Sequence, residues 1–183
     1  LFKILITMCT GEHSMKKWFY GLLGVAALAA IFVLALPTIL HKAGMHPEYH
    51  GPKVALPAKR ALVITTSHDV LAAPGETEGP ATGVVASELT HPYYVFLDGG
   101  MQVDVASIKG GQIPIAPDSL GRVSMTPETE RFLQDSIFQA KVDKSIKIDD
   151  IDFSEYDIIF LAGGWGAAYD LGYSPVLAEK ISG

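Results

Sequence analysis

The sequence runs to 183 residues, enough for one domain with a sizeable core. Its 14 Lys and Arg against 20 Asp and Glu give a net charge of −6 that is unevenly spread, with five basic and two acidic residues over 1–53 but nine and eighteen over 54–183. The acidic second part argues against a nucleic-acid partner, since nothing there would neutralise phosphates, and a single cysteine, Cys9, excludes an internal disulfide.

The chain opens on Leu1, and residues 1–14 read as upstream read-through or a cytoplasmic tail, with Met15-Lys16-Lys17 as a natural start. Cys9 falls in that stretch and is expected to be inert. From Trp18 to Leu40 there are 23 residues without a charge. At about 1.5 Å per helical residue they suffice for a hydrocarbon core of about 30 Å. With Lys16 and Lys17 ahead of the run and Trp18-Phe19-Tyr20 at its start, residues 15–40 read as a signal anchor. Its spanning part is 18–40, and the rest of the chain lies outside the cytoplasm. Secretion after cleavage is the alternative; the run is long for a cleaved signal, and no convincing small-x-small site comes after it. Residues 41–57 hold three prolines, two glycines and no apolar period, hence a linker. His41, His46 and His50 lie there, but their spacing matches no metal motif, and no metal or cofactor is expected.

The folded domain is assigned to 58–183. Ala61–Thr66 is β-branched and bounded by polar residues, which predicts a buried first strand. The polar loop 67–80 lies at that strand's carboxyl end, with His68 and Asp69 at its start. Thr82–Leu89 predicts a helix start with Val84, Val85 and Leu89 on the apolar face. Glu88, four residues after Val84, then shares the core-directed side. A carboxylate there is either functional or reaches past the stripe to solvent. His91-Pro92 should kink or restart the helix, and Tyr93, Tyr94, Phe96 and Leu97 continue an apolar segment. Gln102–Ser107 alternates and predicts a second strand. Thr126-Pro127 opens a helix to about Ala140, with Phe132, Leu133 and Ile137 on its buried side. The acidic stretch 149–155 is expected to be a solvated connection. Asp157–Ala162 is a buried strand that breaks into Gly163-Gly164-Trp165-Gly166, and Ser174-Pro175 caps a last helix over 176–181. Three glycines within four positions at a strand's carboxyl end suit either a tight turn or a site where backbone N–H groups reach a reacting oxygen.

The order of strands and helices predicts an α/β fold with a mainly parallel sheet. Four segments in sequence carry a resemblance to a known family: ALVITTS, TGVVASELTHP, MQVDVAS with Gly110-Gly111, and YDIIFLAGGWGAAYDL. From about Lys59 to Gly183 the chain resembles the first half of the DJ-1/PfpI superfamily, on its glyoxalase III and heat-shock chaperone-like branch. The resemblance implies a flavodoxin-like three-layer sandwich, truncated here, and the apolar run over 18–40 places one transmembrane helix before it. It implies that Glu88 is the family's acidic residue aimed at a nucleophilic cysteine. It also implies that Gly164 and Trp165 supply oxyanion-hole N–H groups, with Trp165 standing where many members have His. His68, Asp69 and His91 are expected at the pocket rim, and Asp170 in a structural role at the next helix. The family's nucleophilic cysteine and its partner histidine would fall beyond Gly183, so residues 1–183 are expected to be inactive alone.

The activity implied for a full-length protein is that of a cofactor-independent cysteine enzyme on small reactive carbonyls, a glyoxalase III-like lyase or a related deglycase or hydrolase. The alternative is a chaperone-like stress-response module holding misfolded protein through apolar surface near Tyr93, Tyr94 and Trp165. A glutaminase like the related amidotransferases ranks third. The expected partners are a small carbonyl substrate or misfolded protein, the membrane through 18–40, and a second copy in a homodimer whose interface no segment marks. Lacking the later half, such a chain should leave one side of its sheet uncovered and be prone to aggregate.

Overall fold

The computed structural model describes residues 2–44, 51 and 54–183, with side chains in the first stretch described from residue 17 onward. The expected linker over 41–57 lies in part, at 45–50 and 52–53, outside the described residues, as does the side chain of Cys9. The chain divides into two compact units, Leu1–Tyr49 and His50–Gly183. The first holds one helix, α1 (Phe2–Lys42), with Pro37 inside it. Its Lys17–Lys42 portion is long and apolar enough to cross a membrane by length and composition, and most of its side chains are exposed.

The second unit is built on a four-stranded parallel sheet in the order β3-β2-β1-β4. Its strands are β1 (Arg60–Thr65), β2 (Gln102–Ser107), β3 (Ile146–Lys147) and β4 (Ile158–Leu161). The helices are α2 (Ala86–Asp98), α3 (Pro127–Phe132), α4 (Ser136–Asp143), α5 (Ala167–Asp170) and α6 (Pro175–Ser182). β1 is central, and side-chain alternation splits it between two cores. Ala61 and Val63 pack with Leu89, Tyr93, Tyr94, Val103, Val105 and Phe138 on one face. Leu62 and Ile64 pack with Ile148, Ile151 and Leu177 on the other. The result is an α/β fold with helices on both faces, as the order of elements predicts.

Several local expectations hold for the stated reasons. Thr126 caps α3 by accepting from the Thr129 N–H, with Pro127 in the first turn, and Ser174 caps α6 by accepting from Leu177. Others are corrected. The helix expected to run from Thr126 to Ala140 breaks in two, because Asp135 accepts from the N–H groups of Ile137 and Phe138 and starts α4. That shifts the helical phase. Phe138 and Val142 are buried with Phe132, whereas Leu133 and Ile137 are exposed. α2 begins at Ala86, not Thr82: Val84 is extended and bridges to Ile115, and Val85 is the N-cap. Pro92 neither stops nor restarts α2. Tyr93 and Tyr94 are core residues, 2% exposed, and Tyr93 stacks on Phe138. The connection over 149–155 is not wholly solvated, since it carries two short 3₁₀ turns (Ile148–Asp150 and Phe153–Glu155) and the buried Ile151.

β4 departs most from expectation. Its apolar run predicts burial, yet it is an edge strand with Ile159, Phe160 and Leu161 each 36–44% exposed. Along it runs an open groove of about 930 Å³ lined by Ile159, Leu161, Phe153 and Ile181.

Candidate active site

The carboxyl ends of β1 and β4 lie side by side, which brings together the segments that leave the two strands. β1 runs into Thr66, Ser67 and His68, and β4 into Ala162 and the glycine turn. Backbone bonds close the turn against the segment leading into α2. Val85 N–H donates to the Gly163 carbonyl at 3.1 Å, and Gly166 N–H to the Gly83 carbonyl at 3.3 Å. The fit leaves no room for side chains. A Cβ on Gly164, whose φ is +147°, would sit on the Gly83 carbonyl, and one on Gly166 would lie 2.6 Å from the His68 carbonyl.

Glu88 lies in the first turn of α2, three residues after the N-cap, and is exposed. It does not share a buried helical face with Val84, which precedes the helix. Its Oε2 instead accepts the Gly163 N–H at 2.9 Å, across 75 residues of sequence. Helices often use a glutamate at this position to bond the N-cap N–H. Here Val85 N–H goes to Gly163, the N-cap has no side-chain partner, and Glu88 turns to the strand. Among the described residues the N–H groups of Gly164 and Trp165 meet no protein acceptor. A carboxylate and two open backbone donors therefore surround one turn. Such a group can bind an oxygen that gains negative charge and move a proton beside it.

His68 reaches the same turn. Its ring stacks on Tyr169 of α5 with centroids 4.2 Å apart, its Nε2 lies 2.5 Å from the Val70 carbonyl, and Tyr169 OH donates to the Ala72 carbonyl at 2.6 Å. Asp170 accepts the Ser67 N–H through Oδ2 at 2.7 Å, while its buried Oδ1 and the buried Thr65 Oγ1 have no partner among the described residues. Asp69 is exposed and contributes only its carbonyl, which accepts from Thr82. His91 does not face the turn. Its Nε2 lies 3.1 Å from Thr126 Oγ1 and 2.8 Å from Glu128 Oε2, which ties it to the start of α3. The structure thus brings Glu88 to Gly163 beside Gly164 and Trp165, sets the His68 ring on Tyr169 just after that turn, and leaves out Asp69 and His91. Sequence reasoning names Gly163 only as part of the glycine turn and gives Tyr169 no role, although Tyr169 lies four residues after Trp165.

No family model matches the chain. The relatives agree with the fold, however. The chain is 32% identical over 112 residues to the glutathione-independent glyoxalase hsp3101 of Schizosaccharomyces pombe, covering 57% of this chain and 44% of that one. It is 29% identical over 118 residues to the glutathione-independent glyoxalase HSP31 of Saccharomyces cerevisiae, covering 62% and 47%. The chain is DJ-1/PfpI-like. Solved structures agree: the 24 kDa rapid encystment protein of Francisella tularensis superposes with a TM-score of 0.61 at 35% identity, covering 68% of this chain and 52% of that one. Glyoxalase III from Candida albicans gives a TM-score of 0.57 at 26% identity, covering 68% and 51%. This DJ-1/PfpI-like chain spans about half the length of the curated relatives it matches.

Proposed function

We propose that this chain supplies the acid–base and oxyanion half of a cofactor-independent, cysteine-dependent site for small α-oxoaldehydes, displayed on the extracytoplasmic side of a membrane by the helix over 18–40. The single observation that carries the reading is Glu88 held against a glycine turn whose next two N–H groups are open. The glyoxalase names of the relatives supply the substrate class.

In this reading a thiolate adds to the aldehyde carbon, and the former carbonyl oxygen becomes the oxyanion of a hemithioacetal. The N–H groups of Gly164 and Trp165 face that oxygen. Glu88 takes the proton from the aldehyde carbon and returns it to the neighbouring one, and water then releases the 2-hydroxy acid. Aldehyde and ketone exchange oxidation levels within one molecule, so no external oxidant is required. The thiol is not Cys9, the sole cysteine of the sequence, which precedes the apolar run. Residues 1–183 alone are expected to consume no carbonyl.

The test begins with the gene downstream of the Gly183 codon. A cysteine on a strand-to-helix elbow there supports the reading, provided that α-oxoaldehyde turnover by the longer protein falls about 100-fold or more in Glu88→Gln with folding intact. Turnover unchanged by Glu88→Gln would overturn it. The binding-module reading retains one favourable observation, the 66% exposure of Trp165. It loses Tyr93 and Tyr94, which are buried.

A further inference from the structure

We infer that Gly163 is a positioning residue that assigns different tasks to the two oxygens of Glu88 and locks the carboxylate and the open N–H groups into one rigid piece. This rests on the reading of Glu88 as the acid–base group. Oε2 is occupied by the Gly163 N–H at 2.9 Å, which leaves Oε1 as the oxygen that exchanges a proton with substrate. The two ends of one residue are used together, since the Gly163 carbonyl accepts from Val85 while its N–H donates to Glu88. The peptide plane on the carboxyl side of Gly163 carries the Gly164 N–H. The Gly163 carbonyl that accepts from Val85 shares that plane, so the Val85 bond orients the first open donor while the N–H of the same residue holds Glu88.

Glycine is required for a reason beyond turn geometry: a Cβ at 163 would stand 2.5 Å from Glu88 Oε2 and push the carboxylate away. Pro92 contributes from the helix side. It has no N–H to give the Glu88 carbonyl one turn earlier, so the backbone at Glu88 carries one helical hydrogen bond fewer.

The test is amide hydrogen exchange and chemical shift on the full chain, labelled with 15N-glycine in detergent micelles, so that Gly163 and Gly164 are read in one spectrum. Glu88→Gln keeps an acceptor oxygen and is expected to hold Gly163 exchange near that of the parent and leave the Gly164 resonance in place. Glu88→Leu removes the acceptor and is expected to speed Gly163 exchange by about tenfold or more and to shift Gly164. Glu88 is exposed, so neither change disturbs the core, and unchanged Gly110 and Gly111 resonances check this. Gly163 protection that survives Glu88→Leu, or that is lost as fully in Glu88→Gln, overturns the inference. So does a Gly164 resonance that does not respond to Glu88→Leu. Carbonyl turnover does not enter the readout, so an inactive longer protein would refute the enzyme reading while leaving the Glu88–Gly163 latch to be judged on its own signals.

Discussion

The two ends of the sheet treat polar groups in opposite ways. At the amino end, Arg60 contacts Asp104 at 3.0 Å and Glu155 at 2.7 Å, Tyr156 OH donates to Asp104 at 3.0 Å, and Lys141 adds a second cation at 3.3 Å. Lys59 meets Asp157 at 2.6 Å beside them. Burial pushes the Asp104 carboxyl up, but hydrogen bonds from Arg60 and Tyr156 and the charge of Lys141 outweigh it and hold the group below the usual carboxylate range. Burial, and then the hydrogen bond to Asp104, push the Tyr156 phenol up to about 12. Among the buried side-chain atoms of the described residues there, Arg60 Nε is left without a partner. At the carboxyl end the N–H groups of Gly164 and Trp165, the Thr65 hydroxyl and one Asp170 oxygen all lack one among the described residues. Buried polar groups are normally satisfied. The amino end is thus arranged for stability, whereas the carboxyl end keeps several polar groups unpaired among the described residues.

The contrast is most severely broken by Gly164→Val, which puts a branched side chain at φ +147° against the Gly83 carbonyl. A loss of about 3 kcal/mol or more in denaturant unfolding is expected. A loss under about 1 kcal/mol would mean that the turn is not held in this conformation. At the other end, Asp104→Ala strips the shared acceptor from Arg60, Tyr156 and Lys141, whose side chains remain partly exposed and screened. It is expected to cost about 1–2 kcal/mol. The same variant tests the acid limb. Because the folded Asp104 carboxyl is held low, the folded state binds fewer protons than the unfolded one, and stability present at neutral pH is lost as pH falls below about 4. Asp104→Ala should flatten that limb, and an unchanged slope would remove Asp104 from the account. The smallest effect is expected of Trp165→Ala. With the residue 66% exposed, stability should stay within about 0.5 kcal/mol, as thermal melting will show.

The architecture is legible because period-two alternation in Gln102–Ser107, the β-branched run at Ala61–Thr66 and the caps Thr126 and Ser174 are local signals that packing does not overrule. The glycine turn stands out from its own residues as a candidate, but Glu88 is singled out only through resemblance: periodicity places it on a helical face with Val84, which lies before the helix. The misplacement of Ile137 has one cause. Asp135 can sit in a helix or start one, and its choice to cap moves the buried face onto Phe138. The exposure of β4 is hidden because an apolar strand reads alike in the middle of a sheet and at its edge. Tyr93 and Tyr94 pass for surface because a tyrosine's polar tip says little about where its ring lies.

The strand order also sets a timetable. Among the described strands β1 is made before the others, and β4, its partner on one side, after the other three, with Leu62 opposite Ile159. At about 5–20 residues per second, about 97 further residues leave that flank of β1 unpaired for about 5–20 s on the ribosome. During that interval a fully apolar segment, Ala61–Ile64, presents an open edge to every other nascent chain nearby. The site at the carboxyl end cannot exist before it closes.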